Sequence, residues 1–275
     1  MAGYIESTAW MEAENMGMSL TRGERTVAQQ LIAEALELEK RFSMTEYAVE
    51  LLEQTLGNDE LPEALTGTYE SHAFTHLQFF LFKEVITSLC AGVLDNDRRS
   101  VSVRKILRQL RADNGRDKQI LREYQSDPCG LTIEIATSSD STLNETTIAQ
   151  QRDNYRSRAV TRFDELWDRI ESCSCILSGD AARRLTLARN KVIAHFDATE
   201  TGLHDFASVE GLEGFSWSEP IEFFRLIRGF AYGVYLLITG TEWDSESSKT
   251  TRFYAASFWE RVRKGTSALE PPVLY

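Results

Sequence analysis

The chain has 275 residues, 42% of them hydrophobic and 26% charged, enough apolar material for one large core and too much for intrinsic disorder. A net charge of −12 argues against a uniformly basic nucleic-acid binder. Four cysteines without a CxxC pair give no zinc or disulfide framework, the acidic start MAGYIESTAWMEAEN is unlike a secretory leader, and apolar runs such as 230–238 are too short to span a bilayer. These readings predict a cytoplasmic protein without a membrane partner. The charge is uneven, however. Residues 1–70 carry 4 basic and 14 acidic side chains, 98–122 carry 9 and 2, and 151–196 carry 9 and 6. Such asymmetry marks either a basic working surface or an acidic arm.

Taken in order, residues 1–24 read as a flexible lead-in. Apolar positions near 3.6 spacing, including Val27, Leu31, Leu38, Phe42, Leu51 and Leu52, predict a helix over 24–56, with Ser43-Met-Thr45 as a candidate break. A second helix over 68–94 is apolar around most of its circumference and reads as central. Ser100 is a candidate cap for a helix to 112 whose apolar face is Val103, Ile106, Leu107 and Leu110, with Arg104, Arg108 and Arg111 opposite. Asp113-Asn-Gly115 breaks the chain before a short helix over 117–124. Residues 126–141 read as a loop and 142–177 as a long helix. Ser178-Gly-Asp180 is a turn with Asp180 as cap, and 198–217 a glycine-containing loop. Ser218-Glu-Pro220 opens a helix that ends by Gly240. Residues 241–275 read as linker, short helix and tail. The fold class is all-α, with the main helical domain over 25–240.

The stretch 181–197, AARRLTLARNKVIAHFD, carries the functional signal. Ala181, Leu185, Ala188 and Val192 predict an apolar seam on one helix, with Arg189 and His195 about 60° to either side of Val192. A guanidinium and an imidazole beside a buried seam cost free energy unless a partner or a task compensates. A seam of this kind suits antiparallel contact with a second copy across a two-fold axis.

The run Arg189-Asn190-Lys191-Val192-Ile193-Ala194-His195-Phe196-Asp197 resembles the signature of HEPN ribonucleases, in the RNKxxAHxD form of bacterial abortive-infection and toxin systems. The order of elements over 25–240 agrees. The resemblance implies a HEPN-like helical bundle, here with a helical N-terminal extension. It also implies a homodimer with a composite site and metal-independent RNA cleavage without a cofactor. Carried over, Arg189 and His195 are the catalytic pair and Asn190 their positioning neighbour. Lys191 and Arg184 are candidate RNA contacts, and an antitoxin or another defence protein is a further partner.

The residue types suit that chemistry. RNA carries its own nucleophile, the 2′-OH, and an imidazole with an ordinary pKa of about 6.5 exchanges protons near neutrality. A guanidinium grips phosphate oxygens in a bidentate manner. The competing reading is a HEPN module that dimerises and scaffolds a defence complex without cutting RNA. Elsewhere, His72 and His76 are spaced i, i+4 as metal ligands are, but the sequence places no third ligand beside them, so no metal site is assigned.

Overall fold

The computed structural model of the chain describes residues 20–57, 60–65, 70–97, 99–127, 141–193, 210–243 and 246–266. Among them every regular element is helical: α1 (Arg22–Leu56), α2 (Glu60–Leu65), α3 (Glu70–Leu89), α4 (Val103–Arg111), α5 (Arg116–Ser126), α6 (Ser141–Cys173), α7 (Asp180–Ala188), α8 (Glu219–Thr239) and α9 (Glu246–Thr266). The fold is all-α, as expected. The residues form two compact units, 1–33 with 108–171, and 34–107 with 172–275. Their boundaries fall inside α1, α4 and α6.

Local chemistry explains where the helices begin and end. Thr21 and Glu24 form a capping box: the Glu24 amide donates to Thr21 Oγ1 (3.3 Å), and the Thr21 amide donates to Glu24 Oε2 (2.9 Å). Thus α1 starts at Arg22, two residues before the expected start at 24. It is not broken at Ser43-Met-Thr45, because the Thr45 hydroxyl donates back to Arg41 O (2.8 Å) within the helix. The cap of α4 is Ser102 rather than Ser100, its Oγ accepting from the Lys105 amide at 3.1 Å. The break after α4 is sharp: Asp113, Asn114 and Gly115 have φ of 49°, 55° and 77°, a left-handed run that only Asn, Asp and Gly tolerate well. Gly240, at φ 70°, ends α8 as the sequence predicts.

The first unit holds the basic stretch. Arg122 clasps Asp164 of α6 through two bonds of 2.8 and 2.7 Å, and Arg111 meets Glu171 at 2.8 Å. Lys118 lies over the Trp167 ring, 4.9 Å from its centroid. Much of this positive charge is therefore answered by α6 and does not form a bare basic face. Leu110, Ile120, Leu121, Phe163 and Ile170 are buried.

The second unit uses the acid of the N-terminal third. Glu46, Glu50, Glu53 and Glu60 pair with Arg228, Arg252, Arg225 and Arg263. Glu46 and Glu50 are themselves buried, so their partners relieve a desolvation cost that surface pairs do not face. The short helix expected near the end of the chain is α9. It starts at Glu246 and docks through Trp259, which stacks edge-on against Phe74 beside Leu65 and donates its Nε1 proton to Leu51 O at 3.0 Å.

At the centre of this unit lies α3. Phe82, Val85, Ile86 and Leu89 are almost fully buried, and Phe82 meets Trp217 at 4.6 Å and Phe215 at 6.2 Å. By length and hydropathy alone Ser71–Leu94 would cross a membrane, a property hidden by counting only unbroken apolar runs. Half of that window is buried within the fold, the pattern of a core helix.

Candidate functional site

The helix α7 that leads to the motif is set down on this core. Its buried face is Ala182, Leu185 and Ala188 rather than Ala181, Leu185 and Ala188, since Ala181 is exposed. Asp180 is the first helical residue, not the cap, and pairs with Arg183 at 2.5 Å. Leu185 and Ala188 are 1% and 0% exposed in the single chain. They belong to its own core and are not available for the seam between two copies that the sequence suggested.

Two wide turns meet here. α3 continues into a π-helical turn at Cys90–Leu94 and α7 into another at Arg189–Ile193. α7 packs on the turn that ends α3, and α3 packs on the turn that ends α7. The Cys90 thiol reaches across to Leu185 O at 3.6 Å. A π turn adds a residue to each hydrogen-bonded ring, so the 3.6-residue spacing used to place Arg189 and His195 around Val192 does not hold through it. Such turns are frequent at functional sites.

Arg189 and Asn190 open the second π turn. Arg189 is half-buried, and its Nε donates to Asn190 Oδ1 at 3.1 Å. That bond fixes one edge of the guanidinium. Asn190 is exposed and lines a groove of about 530 Å³ with Arg104, Leu177, Ser178, Arg183, Thr186 and neighbouring apolar side chains. Arg104 is held rigidly in it, donating to Leu94 O at 2.9 Å and to Leu177 O. Thus the groove has one fixed guanidinium, an exposed one on Arg183, and hydroxyl and amide groups between them. Sequence reasoning missed Arg104, Arg183 and Thr186 as parts of one surface. The spacing Arg183, Thr186, Asn190 was the available signal, a polar stripe at helical intervals.

The other candidates are placed as follows. Lys191 is exposed on the π turn. Arg184 is a structural clasp rather than a waiting RNA contact: it bonds Glu219 at 3.0 and 2.9 Å, reaches Glu213 O and lies over the Phe215 ring, joining α7 to the start of α8. A phosphate would have to displace Glu219 to reach it. His195 and Asp197 lie outside the described residues, as does most of the loop expected over 126–141. His72 and His76 are exposed near the start of α3, and no group of three metal-ligating side chains forms among the described residues.

Burial pushes the Cys90 thiol up to about 11, with the nearby Arg189 charge opposing that rise. Between the ordinary value of 9.0 and about 11 the folded chain keeps a proton that the unfolded chain loses, so this group makes stability fall as pH rises through that window. At pH 8, iodoacetamide should label the exposed Cys173 and Cys175 and leave Cys90 unmodified until the chain unfolds. Peptide mass mapping checks this, and rapid labelling of Cys90 in the native protein would contradict its buried placement.

Residues 28–251 match the HEPN_AbiU2 family, described as AbiU2. No curated protein and no solved structure matches the chain.

Proposed function

Since the chain belongs to HEPN_AbiU2, a HEPN family of abortive-infection systems, we propose that it is a metal-independent endoribonuclease whose active form is a homodimer. The observation that carries this reading is the Arg189–Asn190 pair. A guanidinium is held by its neighbour's amide on a π turn, and that neighbour lines a groove with two further guanidinia and hydroxyl groups. His195 follows Arg189 by six residues in the same motif.

The chemistry assigned to these groups is simple. The His195 imidazole takes the proton of a ribose 2′-OH. The 2′-oxygen attacks the adjacent phosphorus, the bond to the 5′-oxygen breaks, and that oxygen takes a proton from a solvent water, whose hydroxide is neutralised by the proton His195 releases. Arg189 binds the phosphate oxygens and offsets the charge that builds on them. Arg183 and Lys191 serve as contacts to flanking phosphates. The products are a 2′,3′-cyclic phosphate and a 5′-OH. RNA supplies its own nucleophile, so the scheme assigns no task to a metal.

The test is cleavage of total cellular RNA by the purified chain in excess EDTA, with the new ends mapped. Fragments ending in 2′,3′-cyclic phosphate are expected. A homogeneous, folded protein that leaves every RNA intact, with and without EDTA, overturns the proposal in favour of a non-catalytic scaffold.

A further inference from the structure

One guanidinium in the motif groove has no counter-charge. Arg104 sits in the first turn of α4 and is half-buried. Its Nη1 donates at 2.9 Å to Leu94 O, at the end of the first π turn, and its Nη2 donates to Leu177 O, in the 3₁₀ turn that precedes α7. Both acceptors are neutral, and Arg104 makes no ion pair with any described residue. Asp95 lies close enough for its charge to reach the same Cys90 thiol, but it spends an oxygen on the Asp97 amide at 3.0 Å. No carboxylate is among the described residues that line the groove. Its other lining cation, Arg183, is paired with Asp180 outside the lining.

Carbonyls at the ends of helical turns carry partial negative charge, so they hold a cation in place without cancelling it. A part-buried charge left in that condition costs free energy, which an anion in the groove offsets. The two bonds leave the other N–H donors of the fork available to such an anion.

The groove connects Arg104 to the motif. Asn190, which holds Arg189, lines it too, and its volume of about 530 Å³ falls within the range usual for ligand sites. Burial raises the Cys90 thiol, and the charges of Arg189 and Arg104 both oppose that rise, so the two guanidinia stand around one thiol.

We infer that Arg104 binds a phosphate of the RNA strand next to the scissile one, so that the site reads consecutive phosphates and not a lone phosphodiester. The inference rests on the nuclease reading above, in which Arg189 holds the scissile phosphate. A guanidinium already locked by two carbonyls has little side-chain freedom left to lose on binding. It therefore selects the position of that phosphate as well as its charge.

The experiment uses a strand of deoxynucleotides around one ribonucleotide, so that a single linkage can be cut. Each neighbouring linkage in turn is replaced by a methylphosphonate, which removes its charge. In the parent, one such replacement beside the cut, on its 5′ or its 3′ side, should slow cleavage about tenfold or more. In Arg104→Gln the same replacement should change the rate by less than about twofold, because its partner is gone. The comparison is made within each variant, so a general loss of activity cancels. Circular dichroism reports folding. Should Arg104→Gln not fold, Arg104→Lys, which keeps the charge but loses the planar fork, should show a smaller effect than the parent, and an equal one overturns the inference. The inference is also overturned if no neutral linkage slows the parent, or if folded Arg104→Gln is as sensitive as the parent. Binding of an all-deoxy strand across a salt series is independent of cleavage. There Arg104→Gln should lower the slope of log affinity against log salt by about 0.7, the value of one phosphate contact on a single strand. If the parent cuts no strand, the nuclease reading fails while this slope still tests the contact, and an unchanged slope overturns it.

Discussion

Replacing His195 with alanine should lower RNA cleavage by about 10²–10⁴-fold, the usual contribution of a positioned general acid or base, while RNA binding stays nearly unchanged. The separation follows from the roles assigned. A neutral imidazole contributes little to holding a polyanion, whereas the groove's cations, Arg104 and Arg183, and the exposed Lys191 are untouched by the substitution. Circular dichroism checks that the variant keeps the helical fold. Single-turnover cleavage in EDTA reads the rate, and a binding isotherm on a 2′-deoxy-substituted RNA, which has no nucleophile, reads the affinity. A His195→Ala protein as active as the parent on every RNA would show that the motif is not catalytic. Loss of binding together with rate would make His195 a positioning residue instead.

Most of the fold was legible because the helices are long and their apolar periods strong. α3 and α8 are apolar enough that tertiary context had nothing to overrule, and Asp113-Asn-Gly115 and Gly240 announced their breaks by residue type. The errors cluster where the signal is either degenerate or distant. Ala181 and Ala182 are identical, so periodicity alone could not choose which faces the core; packing chose Ala182. α9 begins with Glu246-Ser-Ser-Lys-Thr-Thr and shows little hydrophobicity, and its docking rests on Thr251, Ala255 and Trp259, spaced by four.

Distance hid the electrostatics. The glutamates of α1 and α2 look like a free acidic arm until Arg225, Arg228, Arg252 and Arg263 come to meet them. In the same way Arg184 looks available until Glu219, 35 residues on, occupies it. Of the candidate site, the residue types were readable and the geometry was not. No residue pattern marks a π turn, which arises from how α3 and α7 seat against each other. Hence the identities of Arg189 and Asn190 were recovered, while their angular relation to the rest of the motif was not.

Arg189 should behave differently from His195. Arg189→Ala should weaken RNA binding and slow cleavage together, because the group that holds the phosphate is lost. Arg189→Lys should restore only part of both, since lysine keeps the charge but loses the planar fork and the Nε bond to Asn190. The two inactive variants then test how the site is shared. Leu185 and Ala188 are spent on the core, so the proposed dimer would use another face, and the mixing experiment does not depend on which. If each site takes Arg189 from one chain and His195 from the other, a dimer of Arg189→Ala with His195→Ala has one site with both lesions and one intact. Random co-expression makes about half the dimers mixed, with one good site of two, so activity should return to roughly a quarter of the parent level. Differently tagged subunits, purified in tandem so that every dimer is mixed and assayed in EDTA, should show about half the parent activity. Tandem-purified mixed dimers that remain as inactive as either variant alone would show that each chain supplies its own pair, and that the site is not composite.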